Sequence, residues 1–320
     1  MMLLRADAHR PRVVFMGSPE FALPTLEALV RHYPVVGVVT QPDRPAGRGN
    51  RLTPPPVKKR ALELGLPIMQ PRRLSDPQAW ATLQEWNPDL IVVAAFGQIL
   101  KPEVLQLPTY GCLNVHASLL PRWRGAAPIQ YALLHGDAQT GVTIMLMDEG
   151  LDTGPILSQR ATTILPEDTA ASLGQRLAQL GAELLLDTLP PYLEGQLEPR
   201  PQDESLATYA PRLKRADGEL DFTRSAAYLA RQVRAFHPWP GTFMPWRGQR
   251  LKVLAAHPVE DEPSPGPGVR TVYRGWPSVG TAGGLLVLDR VQPPGKRPLP
   301  GDAFLRGARD WTATSETPPA

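Results

Sequence analysis

An amide and an imidazole stand two residues apart at the end of an apolar run, and together they have the chemistry to act on a carbonyl group. Asn114 and His116 follow the run Gly111-Cys112-Leu113. If this run is a β-strand, both side chains leave it on the same face, because side chains alternate across a strand. An amide N–H can stabilise a developing oxyanion and an imidazole can transfer a proton. The pair therefore favours acyl transfer.

A carboxylate that would complete such a site lies downstream, at Asp152. It stands before Thr153-Gly154-Pro155, a sequence that suits a turn. Asp152 could orient His116, or it could accept a proton from an attacking amine directly or through water. Each residue also has an ordinary structural alternative: a satisfied histidine at a strand end, an asparagine that holds a loop, and a turn aspartate.

A thiol nucleophile is the competing chemistry. Cys112 lies two residues before Asn114 and is expected on the same strand face. No cation is close to it in the sequence to lower its pKa, so packing is the favoured role. Because Cys112 is the single cysteine, it excludes an internal disulfide and fits a reducing compartment.

The motif around Asn114 and His116, followed by Ser118-Leu119-Leu120-Pro121 and later by Asp152, resembles the folate-dependent formyltransferases. Three further segments support the resemblance: residues 14–22, 41–49 and 234–241. The resemblance extends from about residue 11 to about residue 312. It implies an enzyme that uses 10-formyltetrahydrofolate as co-substrate and transfers its formyl group. No metal is expected. By the same resemblance Asn114, His116 and Asp152 are the catalytic residues.

The resemblance also implies where folate binds. Ser118, Leu119, Leu120 and Pro121 match the family's folate-binding segment, in which a stiff proline and backbone groups can shape a pocket for a flat ring. Phe96 follows a predicted strand and is expected to line the same pocket, although an ordinary strand-to-helix turn accounts for it equally well.

A loop rich in glycine, proline and arginine, residues 41–51, is called the basic loop below. It carries Arg44, Arg48 and Arg51, which can contact phosphates. In the family a similar loop engages the acceptor end of initiator tRNA, so the resemblance implies that the formyl acceptor is initiator methionyl-tRNA, for translation initiation. A solvated surface loop is the alternative. Asn50 departs from the family, which often has a basic residue there.

Arginines near the site raise a further expectation. Arg122 and Arg124 are candidates for contacts with substrate, as is Trp123, for which simple packing is the alternative.

Charge is unevenly distributed along the 320 residues, although the net charge is only +3. Residues 206–320 contain 16 Lys and Arg against 10 Asp and Glu, whereas residues 1–205 contain 18 against 21. A basic C-terminal part suits a polyanionic partner, and surface arginines without a partner are the alternative.

Apolar β-rich runs alternate with amphipathic segments over the first 190 residues, which predicts a mostly parallel sheet with helices on both faces. The predicted strands are Arg12–Met16, Val35–Thr40, Leu66–Met69, Leu90–Ala95, Gly111–His116 and Val142–Met147. The predicted helices are Phe21–His32, Val57–Leu64, Asp76–Trp86, Pro102–Gln106, Ala127–His135 and Thr169–Thr188. Ligands bind at the carboxyl ends of such strands, where Asn114 and His116 fall.

Short strands separated by glycine and proline turns follow from Tyr209 onward and predict a small β-barrel. The predicted elements there are a helix, Ser225–Arg234, and the strands Leu251–Ala256, Gly268–Tyr273, Ser278–Thr281 and Leu285–Val291. The expected fold is α/β: a doubly wound, Rossmann-like catalytic domain (11–189), a linker (190–208) and a domain that the resemblance makes OB-like and tRNA-binding (209–314).

Several function classes are disfavoured. Gly17-Ser18-Pro19 stands where a dinucleotide-binding fold carries its glycine fingerprint, and the absence of that pattern disfavours a nicotinamide dinucleotide site. Neither a P-loop nor a paired Cys/His metal spacing occurs, which disfavours nucleoside-triphosphate hydrolysis and a structural zinc site. No signal peptide or membrane-spanning run is evident, so a cytoplasmic protein without membrane contact is expected, and the resemblance suggests a monomer.

Three alternatives to the tRNA-formylating enzyme stay open at this point. One is a formyltransferase for a small amine, such as an amino sugar nucleotide or glycinamide ribonucleotide. A second is a formyltetrahydrofolate hydrolase. The third is a tRNA-binding protein on an inactive scaffold, against which the intact set Asn114, His116 and Asp152 argues.

Overall fold

The computed structural model describes residues 10–46 and 51–313, which form two compact units. The first unit comprises the chain up to residue 128 together with 139–163 and 174–210. The second comprises 129–138, 164–173 and the chain from 211 onward. This division does not test the domain bounds that the sequence predicts, which stay a prediction.

Among the described residues of the first unit there are eleven strands, some very short. In chain order they are β1 (Val13–Gly17), β2 (Val35–Val39), β3 (Arg44–Ala46), β4 (Arg51–Thr53), β5 (Ile68–Met69), β6 (Leu90–Ala94), β7 (Cys112–His116), β8 (Arg124–Gly125), β9 (Gln139–Leu146), β10 (Ile156–Thr163) and β11 (Tyr209–Ala210). Seven of them form one sheet in the order β10-β9-β7-β6-β1-β2-β5. In the part β7-β6-β1-β2-β5 every neighbouring pair is parallel, whereas β9 pairs antiparallel with both β7 and β10.

Helices connect the parallel strands, as the sequence predicted. Those before residue 200 are α1 (Leu23–His32), α2 (Pro56–Glu63), α3 (Pro77–Trp86), α4 (Pro102–Leu105), α5 (Pro128–His135) and α6 (Ala170–Leu193). Helix α6 continues past its predicted end at Thr188, through two prolines, to Leu193. The predicted α/β class with a mostly parallel sheet is confirmed.

The central strands β1, β6 and β7 are buried along their whole length, and β1 and β6 have no polar side chain. Parallel strands that are covered on both faces have this character. From β1 the chain order runs to β2 and β5 on one side and to β6 and β7 on the other. The carboxyl ends of β1 and β6 therefore flank a topological switch point, the usual position of a ligand crevice.

Strand β10 was not predicted. It pairs antiparallel with β9 at the edge of the sheet, and most of its residues are partly or fully exposed. Polar residues such as Gln159 and Arg160 gave it no continuous apolar run, which explains why the pattern missed it.

The second unit contains an antiparallel sheet with the order β12-β13-β16-β15-β14, and β17 pairs with β16. Its elements are α7 (Ala226–Ala235), β12 (Thr242–Trp246), β13 (Gln249–Val259), β14 (Arg270–Tyr273), β15 (Trp276–Gly280), β16 (Leu285–Gln292), β17 (Leu299–Pro300) and α8 (Gly301–Gly307). Register shifts between β13 and β16 bend the strands, as bulges do. The sheet is curled into a half-barrel, which confirms the OB-like prediction, although β12, β17 and α8 were not foreseen.

Aromatic side chains fill the core of the second unit. The Phe304 ring lies edge-on to two tryptophans, with centroids 5.0 Å from Trp246 and 5.6 Å from Trp311. Such edge-to-face pairs add to the stabilisation that burial itself provides. In the part of the chain that the structure describes, no helix has the length and apolarity to cross a membrane.

Close packing of α6 on β7 depends on a glycine. A Cβ added at Gly181 would lie 2.7 Å from Cγ1 of Val115, nearer than real Cβ contacts come. Val115 stands between Asn114 and His116 on β7, so this contact also supports the strand that carries both side chains.

We therefore expect Gly181→Leu to lower the free energy of unfolding by about 1–3 kcal/mol, because the larger side chain must push α6 away from β7. Chemical denaturation followed by tryptophan fluorescence measures this loss. Gln179→Leu, on an exposed position of the same helix, is the matched control and should change stability much less. Equal stability of the two variants would contradict the packing argument.

Candidate active site

Asn114 and His116 lie at the carboxyl end of β7, where both side chains are almost completely buried, with 8% and 6% of their surface exposed. The strand is held from both sides. Asn114 is paired with Val93 of β6 and Met145 of β9, and His116 is paired with Thr143. The register of the sheet thus sets the position of both groups.

Asp152 lies in the loop between β9 and β10 and reaches both neighbours with its two carboxylate oxygens. Oδ1 accepts a hydrogen bond from Nδ2 of Asn114 at 3.3 Å, and Oδ2 accepts one from the backbone N–H of Gly125 at 2.8 Å. The residue has φ of +54°, a conformation that aspartate tolerates better than most residues. The structure therefore brings the three predicted residues together.

The ring of His116 is oriented by a backbone carbonyl. Its Nε2 lies 3.0 Å from the carbonyl oxygen of Trp123. A carbonyl can only accept, so Nε2 must carry the hydrogen. In the neutral imidazole Nδ1 is then an unprotonated acceptor, 3.7 Å from Oδ2 of Asp152. That distance exceeds a hydrogen bond. The carboxylate consequently stands beside the atom that can take up a proton, whereas the orientation of the ring comes from Trp123.

The loop that provides this carbonyl is fixed by hydrogen bonds from its backbone N–H groups to the side chain and the carbonyl of Thr208. The N–H of Trp123 donates to Oγ1 of Thr208 at 2.9 Å, and the N–H of Arg124 donates to its carbonyl at 2.8 Å. Trp123 has φ of +62°, and its side chain is buried, which supports the packing alternative for this residue. Strands β8 and β11 continue the pairing.

Arg124 does not face a substrate, contrary to expectation. Its side chain is fully buried, with Nε and Nη2 donating to Oε1 of Gln202 at 3.0 and 2.9 Å. Nη1 and Nη2 also donate to the carboxylate of Glu204, at 2.8 and 2.7 Å. The hydrogen bonds between Arg124 and Glu204 are the main cause that raises the pKa of Arg124 and lowers the pKa of Glu204.

The segment Ser118–Pro121 is shaped by two polar side chains from the antiparallel strands. Oγ1 of Thr143 donates to the carbonyl of Ser118 at 2.7 Å and accepts from the N–H of Leu120 at 3.1 Å. Nε2 of Gln159 donates to the carbonyl of Leu120 at 2.8 Å. The Leu120–Pro121 peptide bond is cis. The segment is thus held in one backbone shape beside His116.

Side chains of this segment and of Phe96 are mostly committed to packing. Ser118 and Leu120 are buried, and Leu119 packs so closely on Gly141 that a Cβ there would lie 2.6 Å from its Cδ2. Phe96 is only 2% exposed and belongs to the core cluster of the sheet, while its carbonyl accepts from Nε2 of Gln41 at 3.1 Å. Their folate-binding role stays a prediction.

Two arginines of the basic loop are exposed on a pair of short antiparallel strands, Arg44 on β3 and Arg51 on β4. Arg48 lies outside the described residues. Nη2 of Arg44 donates to Oε1 of Gln41 at 3.2 Å.

The chain just before β3 is anchored at Asp43. Its carboxylate accepts from Nε2 of Gln70 at 2.8 Å and from Nζ of Lys58 at 2.8 and 2.9 Å. These hydrogen bonds, first from Gln70 and then from Lys58, lower the pKa of Asp43. The loop is therefore tied to the unit on its entering side.

The residues that support this site from a distance were not predicted from the sequence. Gln202 and Thr208 fall in the polar stretch predicted as a linker, where no motif marks them. In the same stretch the backbone of Arg200 pairs with that of Ile156, with N–O distances of 2.7 and 2.8 Å. Residues 200–208 are thus hydrogen-bonded both to the loop that contains Asp152 and to the loop around Trp123.

Cys112 is not a candidate nucleophile. Its thiol is buried and lies 3.6 Å from the carbonyl of Val104, and burial raises its pKa from 9.0 to about 12. The thiolate is the reactive form, so this thiol is inert near neutral pH. Over residues 10–46 and 51–313, no group of three or more His, Cys, Asp or Glu is arranged to hold a metal ion.

Comparison with known proteins gives a consistent result. A family model described as formyl transferase matches residues 12–189, and one described as formyl transferase, C-terminal domain, matches residues 212–309. Methionyl-tRNA formyltransferase of Myxococcus xanthus is 50% identical over 301 residues, covering 93% of this chain and 95% of that protein. Methionyl-tRNA formyltransferase of Roseiflexus sp. is 48% identical, covering 93% of each.

A solved structure shares the fold. It is WlaRD, a sugar 3N-formyl transferase in the presence of dTDP and 5-N-formyl-THF, with a TM-score of 0.66 at 18% identity. The match covers 91% of this chain and 100% of that one.

Replacement of the thiol tests its exclusion from the chemistry. We expect Cys112→Ala to retain turnover close to that of the unchanged protein, because a thiol with a pKa of about 12 stays protonated and cannot attack at neutral pH. Initial rates at saturating substrate measure this, and thermal unfolding confirms that the variant is folded. A loss of about 10²-fold or more in a folded variant would restore covalent catalysis as an option.

Proposed function

The chain belongs to the formyl transferase family, and from this we infer the reaction that its site performs. It is a one-carbon transferase that moves the formyl group of 10-formyltetrahydrofolate to the free amino group of methionyl-initiator-tRNA. The observation that carries this conclusion is 50% identity to a methionyl-tRNA formyltransferase over 93% of the chain. Folate and methionyl-tRNA are thus its two substrates.

We propose direct transfer at Asn114, His116 and Asp152. The amine nitrogen attacks the formyl carbon, and the carbonyl oxygen takes up negative charge in a tetrahedral intermediate. When this intermediate collapses, the bond from carbon to the folate nitrogen breaks. The amine loses one proton, and the folate nitrogen gains one, so tetrahydrofolate leaves neutral at that atom. The enzyme needs an oxyanion donor and a proton carrier.

Asn114 is assigned to the oxyanion. One N–H of its amide donates to Asp152, which fixes the plane of the amide. The amide nitrogen has a second N–H, which we assign to the formyl oxygen as it gains charge. A donor that is already oriented and buried stabilises developing charge without reorganisation at the moment of reaction.

His116 is assigned to the proton. With its hydrogen at Nε2 engaged by Trp123, Nδ1 has the free electron pair that can accept the proton of the attacking amine. The imidazolium then carries a hydrogen on the side of Asp152, whose carboxylate stabilises the positive charge from 3.7 Å. The same proton is subsequently delivered to the folate nitrogen.

Substrate binding is assigned to two further groups of residues. We propose that Ser118, Leu119, Leu120 and Pro121 form one wall of the folate pocket, mainly with their backbone, and that Phe96 supports it from the core. Arg44, Arg48 and Arg51 of the basic loop are proposed to contact acceptor-end phosphates of tRNA. The OB-like part, 209–314, is proposed as a second tRNA-binding surface, and the enzyme as a cytoplasmic monomer.

The decisive experiment compares acceptors. Formyl transfer from 10-formyltetrahydrofolate is measured with charged initiator methionyl-tRNA, charged elongator methionyl-tRNA and an amino sugar nucleotide. Strong preference for the initiator supports the proposal. Transfer to the amino sugar with no response to tRNA would overturn it while keeping the folate chemistry, and formate release without an acceptor would indicate a hydrolase.

Substitutions at the site should separate catalysis from folding. We expect His116→Ala to lower turnover by about 10²–10⁴-fold and Asn114→Ala by about 10²–10³-fold, since they remove the proton carrier and the oxyanion donor. Single-turnover rates measure both effects. His32→Ala, which removes an exposed histidine of α1, is the matched control and should keep the rate. Near-normal rates for His116→Ala would exclude it as the proton carrier.

Substitutions in the basic loop should affect the tRNA substrate alone. We expect Arg44→Ala and Arg51→Ala each to weaken methionyl-tRNA binding and to reduce the salt dependence of kcat/KM by about one unit of log–log slope per lost phosphate contact. The KM for 10-formyltetrahydrofolate should not change. Arg31→Ala, which removes an exposed arginine paired with Glu27, is the control. An unchanged salt slope in both loop variants would argue against phosphate contacts.

A further inference from the structure

The side chain of Gln202 forms hydrogen bonds both with the loop that contains Asp152 and with Arg124, the neighbour of Gly125. Nε2 of Gln202 donates to the backbone carbonyls of Asp152 and Gly154, at 2.8 and 2.7 Å. Its Oε1 accepts from Nε and Nη2 of Arg124, at 3.0 and 2.9 Å. A primary amide has two donors and an acceptor, so every hydrogen-bonding group of Gln202 is used.

These bonds act on the two residues that determine where the carboxylate lies. Asp152 adopts a left-handed backbone conformation, and Gln202 binds the carbonyl of Asp152 itself and that of Gly154, two residues later. Arg124 precedes Gly125, whose N–H donates to Oδ2 at 2.8 Å. Gln202 therefore holds the backbone of the carboxylate and, through Arg124, the strand that provides its hydrogen-bond donor.

Burial makes the arrangement stiff. Arg124 is fully inaccessible to solvent, and Gln202 is partly buried. A buried guanidinium without acceptors is costly, so Arg124 is confined to the geometry in which Gln202 and Glu204 accept its hydrogens. The amide of Gln202 is held in one orientation, because only its nitrogen can donate to the two carbonyls.

Given the role proposed above for Asp152, we infer that Gln202 is a positioning residue of the formyl transfer, with Arg124 as its partner. It does not touch a substrate in this inference. It keeps the Asp152 carboxylate at the distance from Nδ1 of His116 and Nδ2 of Asn114 at which proton transfer and oxyanion stabilisation both operate. Displacement of a catalytic group by about 1 Å can cost about 10²-fold in rate.

Gln202→Glu separates the two halves of this function. A carboxylate at 202 still accepts from Arg124, so the buried guanidinium keeps its partner and folding is preserved. It cannot donate to the carbonyls of Asp152 and Gly154. We expect kcat to fall by about 10- to 100-fold, with the KM values for both substrates changed less than about three-fold, because binding surfaces are not altered. Gln202→Ala should lower kcat at least as much.

Gln196→Glu is the matched control, since it makes the same change at an exposed glutamine a few residues earlier. It should leave kcat, KM and the thermal midpoint as they are. Rates of all variants are compared only after thermal unfolding has shown that each is folded at the assay temperature.

A double-mutant cycle with Asp152→Asn distinguishes positioning from a general structural effect. If Gln202 acts through Asp152, Gln202→Glu should cost 10- to 100-fold in the unchanged background and less than about two-fold once Asp152 is replaced. Equal losses in both backgrounds, or a wild-type kcat for Gln202→Glu, would overturn the inference. Full activity of Asp152→Asn alone would instead overturn the role proposed for Asp152, so the two failures are distinguishable.

Discussion

The carboxylate of Asp152 is the constraint on which the arrangement of the site depends. It is 14% exposed, and its two oxygens receive the amide of Asn114 and the backbone N–H of Gly125. A carboxylate in such surroundings is stable only where donors replace the water that it has lost. The loop after β9, the strand β8 and the end of β7 are therefore tied at one point, and that point lies beside Nδ1 of His116.

Support for this point comes from residues that are distant in the sequence and close in the first unit. Thr143 and Gln159 hold the backbone after His116, Thr208 holds the loop of Trp123, and Gln202 holds the loop of Asp152. Each of these bonds contributes only about 0.5–1.5 kcal/mol. Their importance is geometric, because together they hold Asn114, His116 and Asp152 in one arrangement.

The sequence could predict those parts of this site that depend on residue type or on the periodicity of side chains along a strand. Alternation along β7 placed Asn114 and His116 on one face, and the family motif identified Asp152. The carbonyl of Trp123 and the N–H of Gly125 are backbone groups, which every residue has, so no sequence signal marks them. Arg124 was expected to contact substrate because it lies near the motif, and the acceptors that keep it buried, Gln202 and Glu204, are far away in the sequence. Strand β10 escaped because its outward residues are polar, as edge strands allow.

The bond from Nε2 of His116 to the Trp123 carbonyl has a consequence for proton traffic. An imidazole with both nitrogens open can shuttle, receiving at one and releasing at the other. Here the Trp123 carbonyl engages Nε2, so in the proposed mechanism the proton leaves by Nδ1, the atom at which it arrived. Attacking amine and departing folate nitrogen must therefore come to the same edge of the ring in turn. The order of bond making and breaking is thereby coupled to a small shift of the tetrahedral centre past a stationary Nδ1.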